Sequence, residues 1–127
     1  MKVQVAIEFM IIFAAFLLAL TIIVIASWNN VVNINRSALD FEANRILNLA
    51  ANRINTAYLE GDGFSIDLAV PEKVGSYEYT LEIEGNMLWL NLNEMSYHRR
   101  LLTSNITGTL KKGVNTIRNV EGGVVIS

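Results

Sequence analysis

The sequence contains no cysteine, one proline and one histidine in 127 residues. Without cysteine, disulfide scaffolds, thiolate zinc sites and cysteine nucleophiles are excluded. Charge is also scarce, because Asp, Glu, Lys and Arg make up 17% of the chain, against about 25% in an average soluble domain. The net charge of −2 provides no field that would attract nucleic acid, so we expect no nucleic-acid partner.

One long run accounts for much of this scarcity of charge, since no residue from 9 to 28 is ionisable. That length matches the roughly 20 apolar residues that a membrane-crossing helix needs, and it exceeds the usual apolar core of a secretory signal. An ordinary soluble single-domain enzyme is therefore excluded. Lys2 is the only cation before the run and Arg36 is the first after it. Lys2 favours a cytoplasmic N-terminus and a C-terminal domain outside the cell.

Glu8 lies at the edge of this apolar run. A carboxylate there is costly unless a positive group accompanies it. One interpretation places Glu8 among lipid headgroups, where it complements the positive end of the helix dipole. The other pairs it with a cation, and a free amine at Gln4 of a neighbouring chain would meet that need better than Lys2.

The segment Gln4-Val5-Ala6-Ile7-Glu8, after a three-residue leader with one lysine and before a long apolar run, resembles the archaeal type IV pilin-like signal, or class III signal peptide. The usual pattern is Gln-x-Ser-x-Glu. Ala6 stands where that pattern has Ser, and Val3 stands where a small residue normally precedes the cleavage site.

The resemblance implies that a prepilin peptidase cuts between Val3 and Gln4, removing residues 1–3. Glu8 would then neutralise the new amine of Gln4 on an adjacent subunit and fix the axial register. Residues 4–28 would lie in the lipid bilayer before assembly and in the filament core afterwards, with a membrane platform assembling copies of the chain into a surface filament. The candidate core residues are Phe9, Ile12, Phe13, Phe16, Leu17, Leu20, Ile23 and Val24.

The helix is predicted to continue through residues 29–60, because neither Gly nor Pro occurs before Gly61. Asn29–Asn35 is rich in poor helix formers and is a possible kink or break. Beyond it, apolar residues recur at spacings of three and four, which indicates an amphipathic helix. This apolar stripe consists of Leu39, Ala43, Ile46, Leu47, Ala50, Ile54 and Ala57.

Residues 61–127 predict a β-rich head. Alternating runs at 64–70, 77–84 and 87–92 indicate strands, and Gly85-Asn86 between the last two indicates a hairpin. Shorter strands are predicted at 99–103, 108–111, 114–118 and 124–126. The expected fold class is α+β, with a long N-terminal helix and a sheet of three to five antiparallel strands. One apolar face of this sheet is expected to pack against the amphipathic part of the helix.

No arrangement of residues in the head favours catalysis. His98 has no second His to share a metal or a proton relay, so we expect neither enzyme activity nor a metal or cofactor. Glu78, Glu82 and Glu84 fit the solvated face of a strand. The basic trio His98-Arg99-Arg100 fits a strand end or a subunit contact better than a polysaccharide or nucleic-acid site.

Two N-glycosylation sequons are present, at Asn35 and Asn105. Asn105 lies in a predicted loop and is the favoured acceptor, since a glycan on Asn35 would obstruct helix packing. The expected function is that of a pilin, a structural subunit of an archaeal type IV pilus-like filament for adhesion or surface attachment. The alternative is a single-span membrane protein whose head binds a partner without polymerising.

Overall fold

The computed structural model describes all residues from 1 to 127 and contains one helix followed by seven strands. Its backbone contacts divide it into two compact units, Met1–Ala38 and Leu39–Ser127. The α+β class expected from the sequence is confirmed.

Helix α1 runs from Lys2 to Glu60. It continues through Asn29–Asn35, so the break considered from the sequence is absent. The physical reason is that asparagine and β-branched residues each cost only a fraction of a kcal/mol in a helix, about 0.7 or less. The helix ends where Gly61 adopts a φ of 90°, which a glycine reaches without steric cost. The buried Asn119 amide donates to the carbonyls of Ala57 and Tyr58 at 2.9 and 3.2 Å, so two of the last carbonyl groups are satisfied.

The strands form two sheets. The first contains β1 (Ser65–Val70), β5 (Ile106–Thr107), β6 (Gly113–Val120) and β7 (Gly123–Ile126), in the order β1-β6-β7-β5. The second contains β2 (Thr80–Glu84), β3 (Met87–Leu92) and β4 (Met95–Arg100), in that order. Strands β2 and β3 are antiparallel around Gly85-Asn86, so the predicted hairpin is confirmed.

Three strand predictions were wrong. The strand expected at 99–103 lies at 95–100, residues 108–111 form no strand, and β5 pairs with β7 in parallel rather than antiparallel. Strand β4 was missed because Arg99 faces inward, which hides the alternation of apolar and polar residues. The total of seven strands also exceeds the three to five expected, since β1 and β5 to β7 form a second sheet.

The apolar stripe of α1 packs against the sheets in one core within Leu39–Ser127. The prediction of this stripe is confirmed: Leu39 is half-buried and the other six residues are buried. Ala43, Ala50 and Ala57 recur every seven residues and are at most 1% exposed, so the short side chains line one side of the helix where the sheets approach. Across from them the core contains Leu88, Leu90, Leu92 and Ile117, each at most 1% exposed.

Candidate assembly helix and outer sheet face

Every residue of the first unit, Met1–Ala38, is exposed. The eight candidate core residues of the helix are all among its exposed large hydrophobic side chains, from Leu20 at 42% to Ile12 at 68%. Apolar residues on the other sides of the helix, such as Ile11 and Leu18, are equally exposed. The helix is thus apolar on all sides, a property of segments surrounded by lipid or by other helices.

This helix is long and apolar enough to cross a membrane, as judged by length and composition. Its only charged side chains before residue 38 are those of Lys2, Glu8 and Arg36. The hydroxyl of Thr21 donates to the carbonyl of Leu17 at 2.8 Å, so this polar group is satisfied within the helix itself.

Gln4 and Glu8 share one shallow groove at the start of the helix, lined also by Met1 and Val5. Glu8 makes no ion pair and no side-chain hydrogen bond within the chain. Lys2 therefore does not pair with it. Val3, the residue before the predicted cleavage site, is 73% exposed.

A second groove on the same helix lies around Ser27. Its lining includes Ile23, Val24, Trp28 and Val31, together with Val32 and Asn35. The small Ser27 side chain leaves space between larger neighbours. Such a groove can receive the side-chain ridge of another helix.

The basic trio of the sequence is divided between two faces of β4. Arg99 points at α1: its Nε donates to Asn48 Oδ1 at 2.6 Å and its Nη2 donates to Asn44 Oδ1 at 3.1 Å. His98 and Arg100 are exposed on the opposite face. The trio therefore does not form a single basic patch.

Tyr97 also joins β4 to α1, because its hydroxyl donates to Asp40 Oδ1. Burial, together with this bond and the negative charge of Asp40, raises the pKa of Tyr97 to about 12. The neutral phenol is favoured because burial and the nearby carboxylate of Asp40 each oppose formation of the phenolate.

The three candidate glutamates also separate. Glu82 and Glu84 are exposed on β2 with Thr80, whereas Glu78 precedes the strand. Lys112 Nζ donates to Glu78 Oε2 at 2.9 Å, and Lys73 Nζ lies 3.8 Å from Oε1. The hydrogen bond and charge of Lys112 lower the pKa of Glu78.

Lys112 also lies 4.7 Å from the ring centroid of Tyr79. The Tyr79 hydroxyl donates to the carbonyl of Pro71. Burial, and then the charges of Glu72 and Glu42, raise the pKa of Tyr79 to about 12. These contacts attach the 71–79 loop to the head, which is a structural role.

Sequence reasoning missed the outward surface of β2, β3 and β4, which we call the outer face. At its centre the rings of Trp89 and His98 lie 4.9 Å apart. Beside them Ser96 Oγ donates to Asn91 Oδ1 at 2.8 Å. The alternation of β3 could have revealed this face, because its odd-numbered residues must point away from the buried leucines.

Both sequons lie on exposed residues, Asn35 in α1 and Asn105 in the loop before β5. The amide of Asn105 packs against Gly123: a Cβ at Gly123 would lie 2.8 Å from Asn105 Nδ2. Because Gly123 has no side chain, there is room beside it for the Asn105 amide, the group to which a glycan would be attached.

The structure contains no group of three or more His, Cys, Asp or Glu side chains that could hold a metal ion. Comparison of the chain with protein-family models, with curated proteins and with solved structures found no match. The case for a function therefore depends on the chain's own residues.

Proposed function

We propose that this chain is a structural subunit of an archaeal type IV pilus-like surface filament, serving adhesion or surface attachment. The observation that carries the proposal is the contrast between the two parts of α1. Residues 39–60 have an apolar stripe that the head covers, whereas residues 1–38 are exposed on every side. Apolar surface on that scale needs lipid or other copies of the helix to remove it from water.

Lipid and other helices cover this surface in succession under the proposal. Before assembly the helix spans the cytoplasmic membrane, with its N-terminus inside and the head outside. After a peptidase cuts between Val3 and Gln4, an assembly platform packs the helices into a filament core at the cell surface. Grooves such as the one beside Ser27 then receive ridges of neighbouring helices.

Glu8 supports the filament proposal because it is the one acidic side chain of the helix before residue 38 and has no partner within the chain. Cleavage would create a positive amine at Gln4 of every subunit, which could reach Glu8 of an adjacent one. Within an apolar bundle an unpaired carboxylate costs several kcal/mol, so the stagger that brings Glu8 to the amine of a neighbouring subunit is favoured.

The N-terminus of the mature protein tests this function most directly. Intact mass and N-terminal sequence would be measured on protein from native membranes and from sheared cell-surface material. A chain that begins at Gln4 in the sheared fraction is the expected result. A chain that keeps Met1 and is found in membranes alone would contradict the proposal.

The second candidate is a single-span membrane protein whose head binds a partner and does not polymerise. Val3 and Ala6 favour it, because both depart from the residues usual around the cleavage site of the family that the segment resembles. In that case Glu8 would lie among the headgroups. The same mass measurement separates the two functions.

A further inference from the structure

The outer face of the three-stranded sheet is arranged as three rows that cross β2, β3 and β4. The strand register defines the rows as Glu84–Met87–Arg100, Glu82–Trp89–His98 and Thr80–Asn91–Ser96. The intervening residues of β3, such as Leu88 and Leu90, are completely buried. Because side chains alternate along a strand, the nine residues of the rows all point away from the core.

Charges on the outer face are sorted by strand. Both acidic residues, Glu82 and Glu84, lie on β2, whereas His98 and Arg100 lie on β4. The side chains of the two glutamates and of Arg100 form no ion pair and no hydrogen bond within the chain, whose two ion pairs both involve Glu78. The half-buried, largely apolar column of β3 separates the two signs, so the face carries a dipole across its strands.

We propose that the outer face binds the outer face of a second copy of this chain, about a two-fold axis parallel to β3. A rotation about that axis exchanges the β2 and β4 columns and leaves each row at its own level. Glu84 of one copy then faces Arg100 of the other, and Glu82 faces His98. Each of these pairs occurs twice, because a two-fold contact uses the same patch on both partners.

The central column also fits this arrangement. Met87, Trp89 and Asn91 lie on the axis, so each faces its own counterpart. Trp89 supplies the type of aromatic anchor that is enriched at protein interfaces. Asn91 accepts a hydrogen bond from Ser96 through Oδ1, which leaves its NH₂ group to donate to the second copy.

The charges favour this axis over a second two-fold axis, which also lies in the plane between the two sheets and also keeps their strands aligned. A two-fold axis perpendicular to the strands would place β2 on β2, so the carboxylate of Glu82 would face that of Glu82 in the second copy. Like charges directly opposite one another are destabilising. Aligned stacking of sheets at about 10 Å is also a common packing mode.

The area of contact predicts a weak association. Three strands at about 4.8 Å and three rows at about 6.8 Å cover only some 300 Å² per partner, against about 800 Å² in a stable complex. Two heads would therefore pair when another element holds the copies at high local concentration. The apolar helix can do so in a membrane or a micelle, and the proposal does not require the filament.

Single cysteines test the contact without background, since the chain has none of its own. The full chain in detergent would carry Asn91→Cys, and the control would carry Val114→Cys on β6, where the native side chain is 75% exposed. With a short bis-maleimide we expect several-fold more cross-linked dimer from Asn91→Cys. Equal yields would overturn the proposal, since the control measures chance encounters of copies in one micelle.

Mixed variants test the axis. Thr80→Cys and Ser96→Cys lie at opposite ends of one row, so a mixture of the two should cross-link several-fold more than either alone. No gain on mixing would overturn the proposed axis. On the Asn91→Cys background, Glu84→Arg and Arg100→Glu should each reduce the yield, and the two together should restore it; failure of the pair to restore it would also count against the axis.

A glycan ligand is the competing occupant of a sheet face with a half-buried tryptophan at its centre. The chain has two tryptophans, so a Trp28→Phe background isolates the fluorescence of Trp89. A shift of that fluorescence with a neutral oligosaccharide, together with background cross-linking, would overturn the proposal. Neither cross-linking nor fluorescence requires cleavage at Gln4 or an intact Glu8. Failure of the dimer proposal can therefore be distinguished from failure of the filament function.

Discussion

Arg99 of β4 donates a hydrogen bond of 2.6 Å to Asn48 of α1 and a second bond, 3.1 Å long, to Asn44 one turn earlier. The two acceptors are four residues apart, so they lie on one face of the helix, and the planar guanidinium can reach both. A strand and a helix separated by about 50 residues in sequence are thus joined by one forked side chain.

Replacing Arg99 should therefore destabilise the head. We expect Arg99→Ala to lower the free energy of unfolding by about 1 to 2 kcal/mol, since both bonds involve a charged donor at a partly exposed site. Arg99→Lys should rescue little, because an ammonium cannot form the fork. Thermal unfolding of the full chain in detergent measures the loss.

Arg118→Ala is the matched control, because Arg118 is an exposed arginine of β6 whose side chain makes no ion pair within the chain and lies outside the outer face. Its melting temperature should equal that of the native chain. Equal melting temperatures for the two alanine variants would contradict the role assigned to Arg99.

Glu8 should control filament formation without affecting the head. Glu8→Ala removes the carboxylate that would pair with the Gln4 amine of a neighbour, so filaments should be lost or irregular, as seen by electron microscopy of sheared material. Far-UV circular dichroism should remain that of the native chain, since Glu8 lies in the unit Met1–Ala38 and the head folds within Leu39–Ser127. Normal filaments from this variant would show that the carboxylate does not set the register.

Stability should fall at high pH because of two tyrosines. The pKa values of Tyr97 and Tyr79 are raised to about 12 in the folded chain, against about 10 in an unfolded one. Their contribution to stability is complete below pH 10 and is lost as the pH rises toward 12, since the unfolded state releases these protons first.

Tyr97→Phe should reduce the slope of stability against pH in that range. Urea unfolding at several pH values between 9 and 11 measures the slope, and the native chain provides the reference. An unchanged slope in the variant would show that Tyr97 is not held neutral by the fold.

The contact between Gly123 and Asn105 predicts a compensating pair of substitutions. Gly123→Ala places a Cβ 2.8 Å from Nδ2 of the exposed Asn105 side chain, so it should displace the amide at a cost of about 1 kcal/mol or less. Asn105→Ala in the same chain should recover most of that loss. Additive losses from the two substitutions, measured by thermal unfolding, would contradict this contact.

The sequence predicted the parts of the fold that depend on local pattern. The stripe from Leu39 to Ala57 was recognised by its spacing, and the β2–β3 hairpin by Gly85-Asn86 between alternating runs. It failed at β4, because an inward Arg99 does not look like a core residue until its partners Asn44 and Asn48 are known. It also missed β5, which is too short to carry a pattern and exists through its pairing with β7.

The proposed assembly site divides in the same way. The sequence alone determined the uncharged run from 9 to 28, the isolated Glu8 and the end of the helix at Gly61, because composition and glycine act locally. Tertiary structure decided which residues share a surface. It turned Arg99 toward helix α1, placed Trp89 between the acidic residues of β2 and the basic residues of β4, and set Gly123 against Asn105. The reason is that strand register brings together residues that are distant along the chain.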